Sequence, residues 1–360
     1  MNIISPENQN PVFACAATAF GFKSLFSEIF RPEQYNRAYI LKGSCGSGKS
    51  SLISKVAQIC CSENLPCELF ACSSDPSSYD GIIIPDKKIY IVDGTSPHIT
   101  DPLYPGAAEV VIDTSTGLDE KSIKDHRDTI IDLCKKSSAG FSRAYSFLRA
   151  AYEMDKGICE LSSEHFNHGK MMSAIRRFSK ATIPAGHGCI TKRRLTRVYC
   201  KDGLYESRAF IKNAEKNCIV TDKYGTSRIF MEAMVQEAVR KSQPVTVSLS
   251  PLDFKTITEI YLPEISMSFT VCDPKDTSRT PFRIFNMARF EDKNSIRESI
   301  QKIRFMKKCF SGLTDGAVQS LKNAYDCHSA LEKIYSGSTD YSANDIAAQN
   351  LISEIFCSAK

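Results

Sequence analysis

Ala38-Tyr39-Ile40-Leu41-Lys42-Gly43-Ser44-Cys45-Gly46-Ser47-Gly48-Lys49-Ser50-Ser51 decides the reading of this chain. Gly43, Gly48, Lys49 and Ser50 fit the phosphate-loop pattern G-x-x-x-x-G-K-[ST] without a gap. Ala38 to Leu41 is short and mostly apolar, as a buried strand is. After the loop, Leu52, Ile53, Val56 and Ile59 recur at helical spacing. Strand, glycine loop and helix is the order that phosphate binding needs. The glycines let backbone N–H groups close around a polyphosphate, and a helix N-terminus adds partial positive charge. Gly43, Ser44, Cys45, Gly46, Ser47, Gly48, Lys49, Ser50 and Ser51 are therefore the candidate nucleotide-binding residues. Lys49 would reach the β- and γ-phosphates, and the Ser50 hydroxyl would join the shell of a Mg²⁺ ion.

The chain has 360 residues, room for two ordinary domains, and is 42% hydrophobic and 24% charged, as globular proteins are. A net charge of +5 permits an anionic ligand without pointing to nucleic acid. No apolar run approaches a membrane span, and the N-terminus lacks a charged-then-apolar signal. The expectation is a cytoplasmic protein without a membrane partner. Fifteen cysteines without a C-x-x-C read as reduced thiols used as small apolar residues. Cys45, inside the loop, would make nucleotide binding sensitive to oxidation if it were reactive.

Residues 1–11 read as a loose arm, Val12 to Phe22 as a strand and turn, and Ser24 to Phe30 as a short helix. Pro66 to Cys72 reads as a strand running into the polar turn Ser73 to Gly81. Loops after strand C-termini line the ligand crevice of open α/β sheets, so Asp75 and Asp80 face the γ-phosphate or a second substrate, or else form the turn. Lys88 to Val92 is a strand closing on Asp93, the pattern of a magnesium-holding carboxylate. Asp113, closing Glu109 to Ile112, is its rival. His98 is either a γ-phosphate sensor or a surface-loop residue. Helical patterns follow at Leu118 to Lys136, Phe141 to Leu161 and His165 to Lys180. In the last of these, His165 and His168 share a face, too few ligands to define a metal site.

Gly43 to Ser51, Cys72-Ser73-Ser74-Asp75, Tyr79-Asp80-Gly81, Pro85, Asp93-Gly94-Thr95-x-Pro97-His98, Asp101-Pro102 and Pro105-Gly106 together resemble a family of bacterial P-loop proteins. Its members are built from two similar halves and are described as ATPases of no assigned biological role. The match is close across residues 12–160 and loose beyond. It implies a duplicated P-loop fold, ATP binding, and functional weight for Asp75, Asp80, Asp93 and His98. It supplies no substrate.

The second half reads as a worn copy of the first. Ser122-Ile123 recurs as Ser295-Ile296 and Ala151-Tyr152 as Ala324-Tyr325, both 173 positions on. Leu148 and Leu321, Ala144 and Ala317, and Ile130 and Ile303 keep that interval. At an interval of 179, Gly225-Thr226-Ser227-Arg228 falls on Gly46-Ser47-Gly48-Lys49, so Ser227 replaces a glycine, Arg228 the lysine and Ile229 the Ser50 hydroxyl. Val271-Cys272-Asp273-Pro274 echoes Ile91-Val92-Asp93-Gly94. Members of the resembling family often look intact in both halves, and this copy does not.

The expected fold class is α/β, a duplicated P-loop NTPase-like fold. Each half is a mostly parallel sheet followed by a helical extension, with an intact domain at 1–180 and a degenerate repeat at 187–360. The expected activity is Mg²⁺-dependent ATP hydrolysis in the first half, with Lys49, Asp75 and Asp93 as catalytic residues and Ser50 and Asp93 as metal ligands. Asp75, or else Asp80, would orient the water. Alternatives are a small-molecule kinase on the same loop and a nucleotide-gated binding module with slow turnover. No clear N-K-x-D guanine-reading motif is present, which leans toward ATP. Lys192-Arg193-Arg194-x-x-Arg197 and Lys201, with Arg176 and Arg177, form the main basic concentration. It would contact nucleic acid, lend a cation to the nucleotide, or be a solvated strand.

Overall fold

The structure is a computed structural model and describes residues 10–188, 190–276, 280–292 and 295–357. Most of the arm expected at 1–11 lies outside the described residues. The first half runs β1 (Val12–Phe13), β2 (Cys15–Thr18), β3 (Gly21–Ser24), α1 (Phe26–Ile29), β4 (Arg37–Lys42), α2 (Lys49–Ser62), β5 (Glu68–Ala71), β6 (Tyr79–Ile84), β7 (Ile89–Asp93) and β8 (Glu109–Asp113). Three helices follow: α3 (Glu120–Asp125), α4 (Arg127–Ser163) and α5 (His168–Thr182). The second half repeats this as β9 (Thr191–Arg194), β10 (Arg197–Cys200), β11 (Gly203–Glu206), α6 (Ala209–Asn213), β12 (Lys216–Thr221), α7 (Ser227–Arg240), β13 (Val245–Leu249), β14 (Ile257–Leu262), β15 (Met267–Val271), β16 (Arg283–Asn286), α8 (Ile300–Gly337) and α9 (Ser342–Cys357).

The two six-stranded sheets have one topology. The first is ordered β1-β5-β6-β7-β4-β8 and the second β9-β13-β14-β15-β12-β16. In both, the second-to-third and third-to-fourth pairings are antiparallel and the rest parallel. A bulge falls at Phe70/Ala71 and again at Ser248/Leu249, 178 positions on. The molecule is therefore α/β and built from two like halves. β4 is buried from Ala38 to Leu41, which is why it reads as an unbroken apolar run.

The helical tail departs from the expected pattern. α4 is one helix of 37 residues, not two: Gly140, in the stretch expected to break, is buried against Ala324 of α8, and the buried positions run on through Ala144, Leu148 and Ala151. α8 matches it with 38 residues. The two lie antiparallel: a Cβ at Gly140 would meet Ala324, one at Gly316 would meet Phe147, and one at Gly157 would meet Met306.

The terminal helices are exchanged. α5 leaves the first half and buries Met171 and Ile175 in the core built on the second sheet, beside Phe230 and Met231. α9 returns from the second half and buries Ala348, Leu351 and Ile355 against Tyr39, Ile53 and Ile91 of the first. The stretches 1–180 and 187–360 are thus repeats in sequence but not packing units. Each sheet needs the other half's last helix to close its core. The equivalent residues Phe13 and Leu195 pair with each other through two backbone hydrogen bonds of 2.8 and 3.0 Å, as residues at a pseudo-twofold axis must.

Candidate functional site

The glycine loop joins the C-terminal end of β4 to α2, with β4 set between β7 and the edge strand β8. Gly46 and Gly48 have φ of 73° and 91°, a conformation that favours glycine. Lys49 is buried, and its ammonium donates to the carbonyls of Gly43 at 3.1 Å and Ser44 at 2.8 Å. The same Nζ lies 3.8 Å from Asp93 Oδ2. Asp93 Oδ1 accepts from the Thr95 N–H at 2.9 Å and its hydroxyl at 2.6 Å, which fixes the carboxylate with Oδ2 toward the lysine. Asp113, across β4, accepts from the Ser115 N–H at 2.7 Å and is exposed. The loop lysine therefore has Asp93, rather than its rival, as ion partner. Ser50 Oγ accepts from the Tyr79 N–H at 2.9 Å, tying the loop after β5 to the start of α2.

Asp75 sits in that tied loop. Its Oδ1 accepts from the Ser77 N–H at 3.2 Å and hydroxyl at 2.7 Å, and its Oδ2 from the Tyr325 hydroxyl of α8 at 2.7 Å. Lys201 Nζ lies 3.8 Å from Oδ1. Burial pulls the Asp75 pKa up, but these hydrogen bonds and the ammonium outweigh it and hold the carboxyl below its ordinary value.

Asp80 and His98 are not turn or surface residues. Tyr79-Asp80-Gly81 belongs to β6, and Asp80 and His98 are both buried. His98 stacks on Phe26 with 4.5 Å between ring centroids, and its Nε2 lies 3.6 Å from Asp80 Oδ2. Burial lowers the His98 pKa, but the carboxylates of Asp80 and Asp93 outweigh it and raise it. Cys45 is not an activated thiol. Burial pushes its pKa up to about 11 despite the nearby Lys49.

The sequence could not show that the second half's helix elbow backs the loop. A Cβ on Gly46 would come within 2.8 Å of the Glu332 carbonyl at the end of α8. Tyr341 donates its hydroxyl to the Gly46 carbonyl at 2.6 Å, and Asn344 donates to the carbonyls of Ser47 at 3.1 Å and Thr114 at 2.9 Å. The exchange is reciprocal. Asp340 N–H donates to the Gly117 carbonyl, and Asn167 N–H to the Phe290 carbonyl, 173 positions displaced with the halves swapped.

The copied loop differs from its expected alignment. α2 and α7 each have 14 residues, and their buried positions Leu52, Ile53, Val56 and Cys60 match Phe230, Met231, Met234 and Ala238 at 178, not 179. Gly225, with φ of 79°, still matches Gly46 at 179. The loop between is therefore one residue shorter. Ser227 takes the lysine position, Arg228 the Ser50 position, and Thr226 stands at the helix N-cap where the first half has Gly48. Arg228 pairs with Asp155 of α4 at 2.6 Å. The strand register also moves the Asp93 equivalent. β7 and β15 align at 178, which sets Val271, not Asp273, at the carboxylate's place.

The short loop is filled from within. Asp222, at the Gly43 position, accepts at Oδ1 from the N–H groups of Tyr224, Gly225 and Thr226 at 3.0, 2.8 and 3.2 Å. Its Oδ2 accepts from the Ser227 N–H at 2.9 Å. Four consecutive N–H groups thus converge on one carboxylate, the behaviour of an anion nest.

Three arginines of the basic stretch are paired with acids. Arg193 pairs with Glu28, Arg194 with Glu68 at 2.7 Å, and Arg197 with Glu206 at 3.1 Å. His165 binds Ser295 Oγ through Nδ1 at 2.6 Å, while the His168 ring packs edge-on against Phe166. Among the described residues no group of three or more His, Cys, Asp or Glu side chains is arranged to hold a metal. A magnesium ion held with a nucleotide needs less, since phosphates and water complete its shell. Ser50 Oγ and Asp93 Oδ2 are both oxygen donors of the kind that ion takes, beside the lysine, so they fit it. No described helix is long and apolar enough to cross a membrane. No family model, curated protein or solved structure matches the chain.

Proposed function

We propose that the chain binds ATP with Mg²⁺ at the glycine loop Gly43 to Ser51 and hydrolyses it there, the second half serving as scaffold. The observation that carries this is the filled nest of the second half. The repeated loop gathers four N–H groups around a carboxylate, while its counterpart in the first half has Gly43, without a side chain, where Asp222 stands. A loop of this geometry prefers an anion at its centre. In the first half the anion is the substrate's polyphosphate, with Lys49 released from the loop carbonyls to meet it.

Magnesium, when bound, neutralises charge on the β- and γ-phosphates; Ser50 and Asp93 are the residues that would hold it. Asp75 orients the attacking water and Lys49 offsets charge on the phosphates. The water oxygen forms a bond to the γ-phosphorus as the bond to the bridging oxygen breaks. The bridging oxygen keeps the electron pair on ADP, and the water protons pass to phosphate and solvent. Cysteines kept as reduced thiols would suit a cytoplasmic setting.

The elbow contacts of Glu332, Tyr341 and Asn344 favour a second role for the same site, gating by nucleotide, because a polyphosphate that reshapes the loop also shifts the segment leaning on it. The test is Mg²⁺-dependent release of phosphate from ATP, abolished by Lys49→Ala. Full turnover in that variant would reject the assignment.

A further inference from the structure

The second half reaches the first half's site at a point other than the elbow. Lys201, at the turn between β10 and β11, and Tyr325, on α8, both belong to the second half, and both meet Asp75 of the first. The Lys201 ammonium also lies over the Tyr325 ring, 4.6 Å from its centroid. The three side chains form one cluster, and the tie from the Tyr79 N–H to Ser50 Oγ fastens its loop to the start of α2.

The repeat supplies a control for whether packing alone requires this cluster. Tyr152 of α4 is the counterpart of Tyr325, 173 positions earlier. The β2–β3 turn, Ala19-Phe20, is the counterpart of Lys201-Asp202, since the hairpin pairs Thr18↔Gly21 and Cys200↔Gly203 stand 182 positions apart. Asp253 is the counterpart of Asp75 at 178. There the same elements meet without an ion pair to the loop aspartate, although Arg149 of α4 donates through Nε to the Ala19 carbonyl at 3.2 Å. The Phe20 ring packs edge-on against Tyr152 at 5.2 Å, and the Ala19 N–H donates to the Leu252 carbonyl at 2.9 Å. Asp253 is taken up by its own loop, accepting from the backbone N–H groups of Lys255 and Thr256 and from the Thr256 hydroxyl. Docking this hairpin and helix on this loop therefore does not require a lysine and a tyrosine hydroxyl on the loop aspartate. The polar set stands only beside the loop that keeps its lysine and glycines.

We propose that Lys201 and Tyr325 are positioning residues, through which the second half holds the Asp75 carboxylate for the water that receives the γ-phosphate. The inference rests on the nucleotide reading above. With Oδ1 held by Ser77 and faced by Lys201, and Oδ2 held by Tyr325, the carboxylate has one orientation. It stays ionised and works by aligning the water rather than by waiting protonated. The other titratable groups near the cluster are Asp202, 3.4 Å from Lys201, Cys200, which also acts on Lys201, and Cys72 and Glu332, which act on Tyr325.

The test uses the full chain and the variants Tyr325→Phe, Lys201→Ala and Lys201→Arg. MgATP affinity is read by calorimetry, and kcat and KM across pH by phosphate release. Tyr325→Phe and Lys201→Ala should each lower kcat about tenfold with affinity changed less than about twofold. Lys201→Arg should restore most of the rate. The acid limb of kcat should move to higher pH in Lys201→Ala, because the carboxylate loses a neighbouring positive charge. An unchanged kcat and acid limb would overturn the inference. So would a loss of rate matched by a lower melting temperature and weaker ATP binding. A parent that binds MgATP without hydrolysing it would overturn the inference and leave nucleotide binding standing. A parent that binds no MgATP would overturn both.

Discussion

Asp222→Ala tests the anion nest where no nucleotide complicates the result. The wild-type carboxylate accepts four backbone hydrogen bonds between 2.8 and 3.2 Å. Hydrogen bonds to a charged group contribute about 1.5–3 kcal/mol each when broken singly. The nest is half-buried, so water takes over part of the loss, and the net cost should be about 2–4 kcal/mol. Asp222→Asn keeps one acceptor oxygen and should lose roughly half of that. Unfolding in urea at about pH 5.5 is the suitable assay. Burial, then the Asp222 charge, raises the Glu291 pKa to about 7, so at that pH Glu291 is mostly protonated and relief of repulsion does not offset the loss. Inorganic phosphate should rescue the alanine variant and leave the parent unmoved, by about 2.7 kcal/mol at a hundredfold excess over its dissociation constant. A cost under about 0.5 kcal/mol, or no response to phosphate, would refute the nest.

Asp93→Asn should keep ATP affinity within a few-fold and lose Mg²⁺-dependent turnover, because only the metal's anionic partner is weakened; equal phosphate release in parent and variant would return that role to Asp113. Leu351→Ala, far from the loop in sequence, should destabilise by about 2–5 kcal/mol and expose the first half's core to proteolysis, since Leu351 of α9 is 1% exposed. Glu291 titrates high in the folded chain, so folding takes up a proton there: stability from this group is full below its unfolded pKa and is lost as pH rises through about 7. Glu291→Gln should therefore raise the melting temperature more at pH 8 than at pH 5, and an equal gain at both would contradict the assignment.

The loop, β4, α2 and β7 were legible because each carries a local signal: Gly46 and Gly48 at positive φ, a buried apolar run, helical spacing, and an aspartate closing a strand. The duplication was legible in α4 and α8, where Ala144, Leu148 and Ala151 recur as Ala317, Leu321 and Ala324 at a constant interval. It was misaligned at the second loop, because a one-residue deletion leaves Gly225 in place and shifts everything after it. The sequence sets Asp80 within the polar turn Ser73 to Gly81, facing the γ-phosphate or a second substrate or else forming the turn, because nothing local marks where β6 begins. The helix exchange was not legible. α5 buries Met171 and Ile175 and α9 buries Leu351 and Ile355, and nothing local in either helix names the sheet it covers across the span of α4 and α8. Likewise Lys201 read as part of a basic run, although its neighbours Arg193, Arg194 and Arg197 are each spent on a glutamate.

Calorimetric titration of the full chain with ATP in Mg²⁺ buffer tests the central claim most directly. One intact loop and one filled from within predict a single nucleotide per chain, lost in Lys49→Ala and retained in Arg228→Ala, whose guanidinium pairs with Asp155 outside the nest. Two nucleotides per chain, or one that survives Lys49→Ala, would contradict it.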